Sequence, residues 1–180
     1  GFGTKFAATG DRVTHIGSDA GNAANGMDNT LIGYAAGQGI TGLGNTYVGS
    51  GAGSNVGNGN NNVFIGINAG TANTSGSTNV YIGQTAGISN TSGTDNVLIG
   101  SEAGETITVE NQNVFIGTQA GQNNAGSGNV FLGYRAGHNA TAAAYTNRLV
   151  IDNKSSDFSS TYPLISGDFS SGRVNMNWIC

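Results

Sequence analysis

A glycine closes a short apolar run eight times along the chain, at Gly17, Gly33, Gly49, Gly66, Gly83, Gly100, Gly117 and Gly133. The spacings are 16, 16, 17, 17, 17, 17 and 16 residues. The fullest copies read Asn62-Val-Phe-Ile-Gly-Ile-Asn-Ala-Gly70 and Asn113-Val-Phe-Ile-Gly-Thr-Gln-Ala-Gly121. A fixed period of this kind sets the architecture ahead of any local propensity. Each period is one coil of a solenoid, and each coil touches only its neighbours.

Four columns run down the repeat. The aliphatic column is Ile16, Ile32, Val48, Ile65, Ile82, Ile99, Ile116 and Leu132. Two residues earlier stand Thr14, Thr30, Thr46, Val63, Val80, Val97, Val114 and Val130. Between them lies a large column of His15, Leu31, Tyr47, Phe64, Tyr81, Leu98, Phe115 and Phe131. The last column is Ala in every copy: Ala20, Ala36, Ala52, Ala69, Ala86, Ala103, Ala120 and Ala136.

β-branched and aromatic residues in so short a run predict a strand. Successive strand residues face opposite ways, so the aliphatic and β-branched columns share one face and the large column takes the other. A thin coil is expected to hold small residues inside. That places Ile32, Val48, Ile65, Ile82, Ile99, Ile116 and Leu132 in the coil interior, opposite Ala69, Ala86, Ala120 and their equivalents. Leu31, Tyr47, Phe64, Tyr81, Leu98, Phe115 and Phe131 then form an outer ridge. An apolar ridge of that length needs cover, and further copies of the same chain are the economical cover. Stacked strands ~4.8 Å apart make eight coils a rod of roughly 40 Å.

The remainder of each coil is turn material. A glycine precedes most motif asparagines by three residues, at Gly26, Gly42, Gly59, Gly76, Gly93 and Gly126, with Glu110 breaking the pattern. Glycine supplies positive φ at tight corners. Asn29, Asn45, Asn62, Asn79, Asn96, Asn113 and Asn129 are expected to stack as a hydrogen-bonded ladder.

Thirty-two glycines in 180 residues suggest disorder by composition alone, but strict apolar columns argue against it. Between Asp28 and Asp95 there is no Asp, Glu, Lys or Arg. That stretch holds no carboxylate pair, lysine nucleophile or acidic metal cage. A net charge of −4 argues against a nucleic-acid partner. No apolar run approaches a membrane-spanning length, so membrane insertion is not expected. The single cysteine, Cys180, excludes an intrachain disulfide. The chain starts at Gly and reads as a piece of a longer protein.

Three segments follow: a lead-in over 1–12, β-roll repeats over 13–151, and a C-terminal cap or connector over 152–180. Asn147-Arg-Leu-Val-Ile151 reads as a last strand. The alternation in 162–169 and 173–177 predicts a β-hairpin around Gly167 to Gly172. The terminal segment also holds Lys154, Asp157, Pro163 and Trp178.

The phrase Asn-Val-Phe-Ile-Gly-x-x-Ala-Gly resembles the head repeats of YadA-like trimeric autotransporter adhesins. The copies here are two or three residues longer and carry aromatics at the spacer position. The segments 149–153 and 163–177 are similar to a stretch of phage tail-fibre-like proteins that precedes a C-terminal intramolecular chaperone; no chaperone domain is present here. The resemblance implies an all-β, left-handed parallel β-roll assembled as a homotrimeric fibre. It implies an extracellular, cell-surface or virion location. It also implies attachment to a surface glycan or receptor by combined weak contacts, without catalysis or cofactor. A purely structural filament or spacer is the alternative.

Other chemistries fit less well. His15 heads the large column, so three chains meeting there offer an axial ion site; a polar cap is the plainer expectation. His138 follows Ala136-Gly137 and is expected in a surface turn. The Ile-Gly-x-x-Ala-Gly phrase also matches one unit of hexapeptide-repeat acyltransferases, which stack three units per coil. Here each coil has one, and His138 has no carboxylate at a suggestive spacing. A phosphate loop needs a strand–loop–helix context and a lysine, calcium nonapeptides need acidic turns, and both are missing. A threonine ice-binding array stops at Val63, where the Thr column turns to Val.

Overall fold

A computed structural model describes residues 12–55, 57–124, 126–138, 145–153 and 164–176. These residues form an all-β solenoid of about eight coils of about 17 residues, with no helix. The expectations placed on residues 1–11, Lys154, Asp157, Pro163, Trp178 and Cys180 lie outside the described residues.

Each coil contributes one three-residue strand: β1 (Thr14–Ile16), β2 (Thr30–Ile32), β3 (Thr46–Val48), β4 (Val63–Ile65), β5 (Val80–Ile82), β6 (Val97–Ile99), β7 (Val114–Ile116) and β8 (Val130–Leu132). Three four-residue strands follow: β9 (Arg148–Ile151), β10 (Ile165–Asp168) and β11 (Arg173–Met176). All eleven form one sheet in sequence order. Pairing is parallel from β1 to β9 and in strict register, so Phe64 lies beside Tyr81 and Ile65 beside Ile82. β10 pairs antiparallel with both β9 and β11, as the hairpin reading expects.

Glycine sets the strand ends. At Gly66 φ is +136°, and a Cβ there would lie 2.4 Å from the carbonyl oxygen of Gly83 in the next coil. Neighbouring coils approach too closely at this corner for any side chain. The glycine of Ala-Gly answers a second demand: at Gly70 a Cβ would sit 2.5 Å from the ring carbons of Phe64.

Which strand face points inward reverses the sequence expectation. Leu31, Tyr47, Phe64, Tyr81, Leu98, Phe115 and Phe131 are each 0% exposed within one chain and form the core with the Ala column. They are therefore not an interchain ridge. The rings of Tyr47 and Phe64 stack at 4.7 Å and 5°, and those of Phe115 and Phe131 at 4.8 Å and 7°. That spacing equals the strand spacing, so one flat ring fills one layer and rests against the alanine opposite. Leu31 and Leu98 fill the same column where no ring is present, and both are fully buried. Ala69, Ala86 and Ala120 lie inside. The residues assigned to the interior beside them stand on the outer face instead: Ile32, Val48, Ile82, Ile99 and Leu132 are half-buried, and Ile65 and Ile116 are exposed.

The motif asparagines bind successive coils together. The Asn62 Oδ1 accepts the backbone N–H of Asn79 at 2.9 Å, and the Asn79 Oδ1 accepts that of Asn96 at 3.0 Å. Their amide nitrogens donate to the carbonyls of Gly76 and Gly93, each at 2.8 Å. The same relay runs from Asn29 to Asn129 and ends on the N–H of Arg148. Every one of these asparagines is buried, so each amide meets the requirement that buried polar groups be paired. Corner backbone bonds such as Gly70 N–H to Ala86 O, at 3.0 Å, hold the opposite side of the coil.

Candidate functional site: the outer face of the sheet

The outer face carries two apolar columns side by side, Val63 to Val130 and Ile65 to Leu132. Neither contains a charged residue. Ile65 is 37% exposed and Ile116 40%. The columns do not stop with the solenoid. Val130 pairs with Leu149, and through Gly167 that row reaches Val174. Leu132 pairs with Ile151, then Ile165, then Met176. Residues directly opposite on neighbouring strands share a face. One apolar strip therefore crosses all eleven strands, ~50 Å at ~4.8 Å per strand. Val174 and Met176 at its end are 61% and 59% exposed.

The corners beside this strip are polar. Two columns of left-handed residues define them, one through Asn68, Thr85, Glu102, Gln119 and Arg135, the other through Asn61, Thr78, Asp95 and Gln112. In the first, Glu102 Oε2 accepts from the amides of Gln119 at 2.7 Å and Gln122 at 2.8 Å. At the N-terminal end, Arg12 hydrogen-bonds Asp28 and thereby holds its carboxyl below the usual range. Burial pushes the phenols of Tyr47 and Tyr81 far up, and neither buried hydroxyl has a hydrogen-bond partner among the described residues. They have no acid–base role near neutrality.

The histidines separate. His15 heads the interior column, 8% exposed, with both ring nitrogens buried and unpaired. Its ring packs on Gly21 inside its own coil, so it does not stand on an axis shared between chains. Burial lowers its pKa from the ordinary 6.5. His138 sits at a corner, its ring nitrogens 3.0 and 3.3 Å from Nη2 of Arg135. Among the described residues no group of three or more His, Cys, Asp or Glu is placed to hold a metal.

One interior column had no clear signal in the sequence. Ile40, Asn73, Asn90, Ile107 and Asn124 occupy equivalent positions three residues after Gly37, Gly70, Gly87, Gly104 and Gly121, all buried. Its mixture of Ile and Asn hides it from any search for apolar periodicity.

Comparison with protein-family models, curated proteins and solved structures finds no match for this chain. No helix among the described residues is long and apolar enough to cross a membrane.

Proposed function

We propose that this chain is a segment of a homotrimeric, extracellular fibre, of tail-fibre or surface-adhesin type, that attaches to a cell surface through repeated weak contacts. The observation that carries the reading is the uninterrupted aliphatic row from Ile16 on β1 to Met176 on β11. A strip this long and free of charge is characteristic of a buried contact surface. The hairpin supports this most directly. It extends past the solenoid core, yet Val174 and Met176 keep the apolar character of the strip while standing open to water.

A second copy of the chain is the partner that matches the strip. Its side chains repeat at every strand, and only a surface with the same repeat can interdigitate along the whole length. In this reading three strips meet around a common axis, the coils wind left-handed, and the polar corners face outward. Burial contributes roughly 25 cal/mol per Å² of apolar surface removed from water. Three copies of each corner then combine contacts to a glycan or receptor, raising avidity without new chemistry. The role is mechanical rather than catalytic, in keeping with the uncharged stretch between Asp28 and Asp95.

The near-identity of successive coils also favours a spacer that has no ligand of its own. Glycan-array binding by the purified assembly separates the two. Binding of a defined glycan class supports attachment; intact trimers that bind nothing support the spacer.

A further inference from the structure

We infer that the C-terminal hairpin carries a binding site for a carboxylate-bearing sugar, built on the cross-strand row Arg148–Asp168–Arg173. Register places these three side by side, Arg148 opposite Asp168 on β10 and Asp168 opposite Arg173 on β11. Two residues along the same face lies a second row, Val150–Ser166–Asn175. This face is the reverse of the apolar strip. It continues the solenoid interior, where Phe131 pairs with Val150, but turns polar once the core ends.

The first row and the Ser166–Asn175 part of the second, with Gly167 and Ser171, line a cleft of about 370 Å³. Its size falls in the range of small-ligand sites, roughly 300–1,000 Å³. Its charge is specific. Arg148 Nη1 lies 3.1 Å from Asp168 Oδ2. The other Asp168 oxygen accepts the backbone N–H of Ser170 at 2.9 Å and the Ser170 hydroxyl. Those Ser170 bonds, then Arg148, hold the Asp168 carboxyl below its usual range. Asp168 is thus occupied by Arg148 and Ser170. The side chain of Arg173 opposite it makes no ion pair or hydrogen bond with the described residues. The Nε of Arg148 is buried and also unpaired.

The cleft therefore holds two guanidinium groups against one carboxylate, a net charge of +1. Six Lys and Arg serve the whole chain, which carries −4 overall, and two of the six share this row. A guanidinium presents a planar fork that matches a carboxylate in two parallel bonds. A monoanion balances the cleft, whereas a phosphate dianion overshoots it. The hydroxyls of Ser166 and Ser171 and the amide of Asn175 supply both donors and acceptors for sugar hydroxyls. A sugar acid satisfies both halves of this arrangement.

This inference rests on the attachment reading for its biological role, but the site is measured separately from assembly. The full chain, ¹⁵N-labelled, is titrated with glucuronate, glucose or inorganic phosphate at constant ionic strength, following the arginine Nε–H resonances. Glucuronate is expected to give saturable shifts, glucose none, and phosphate at least tenfold weaker ones. Arg173→Gln is expected to weaken glucuronate at least tenfold with an unchanged thermal midpoint. Arg173→Lys keeps the charge and loses the fork, and is expected to fall between. Absence of saturable shifts overturns the site, as does equal affinity in both Arg173 variants and the parent. Phosphate binding as tight as glucuronate overturns the sugar-acid assignment. A chain that assembles normally yet ignores glucuronate overturns this site alone and leaves the fibre reading intact.

Discussion

The rings of Phe64 and Tyr81 stack face to face at 4.8 Å and 9°, sealed within a single chain. Their side chains leave adjacent parallel strands at matched positions. The spacing of the rings is thus the spacing of the backbone, and one stack serves as the spine of the solenoid. Removing one ring opens a layer that its neighbours cannot collapse to fill. Phe115→Ala is expected to cost about 3–5 kcal/mol, read as a fall in the urea midpoint. A change below about 1 kcal/mol would show that the ring is not a core element.

Asn79 sits between two coils and serves both. Its truncation to Ala strands the carbonyl of Gly93 and the N–H of Asn96. Each unpaired buried group costs about 1–3 kcal/mol. The expected outcome is a loss of roughly 3 kcal/mol, with amide exchange accelerated first at Val80 and Val97, the strands either side of the break. Uniform exchange along the chain would contradict a local role for the ladder.

Strain is also visible in the repeat. Thr85 has φ of +54°, a left-handed conformation that β-branched residues rarely adopt. Gly51 fills the same corner two coils earlier. Thr85→Gly relieves a penalty of about 1–2 kcal/mol, less the greater entropy glycine loses on folding. A rise of about 0.5–1 kcal/mol in stability is expected by chemical denaturation, and a fall would contradict the assignment.

His15 gives the N-terminal coil a pH dependence of known sign. Its folded pKa lies below the ordinary 6.5, so the unfolded state takes up the proton first as pH falls. Stability is full above 6.5 and declines as pH drops through that value. His15→Leu places in the first coil the residue that Leu31 supplies in the second. It is expected to abolish the decline in thermal midpoint between pH 7.5 and pH 5.5 (~1 unit either side of the unfolded value). An identical decline in the variant would contradict a role for His15. Asp168 contributes in the opposite range. Its depressed pKa adds stability above the ordinary carboxylate value of 3.8, lost as pH falls through the folded value.

The period, the strand positions, the corner glycines, the asparagine ladder and the terminal hairpin were all legible in the sequence. Each follows from a local rule: β-branched runs, positive φ, amide pairing. The direction of the strands was not. Alternation states which residues share a face, as Val63 and Ile65 do, but both faces here are apolar, so it does not state which is inside. Cross-section decides that: the flat rings of Tyr47, Phe64, Tyr81, Phe115 and Phe131, together with Leu31 and Leu98, fill single layers alongside the Ala column. The row Arg148–Asp168–Arg173 escaped notice for another reason. It depends on the register of three strands spread over 26 residues, and no spacing rule in a single strand reveals it.

The reversal of faces changes where assembly must be tested. Sedimentation equilibrium of the purified chain, alongside the double variant Ile65→Glu and Ile116→Glu, tests the outer strip as the self-association surface. The parent is expected to sediment as a trimer, and the double variant as a monomer with an unchanged β-sheet circular dichroism spectrum. A parent chain that stays folded and monomeric, or a double variant that still trimerises, would contradict the account.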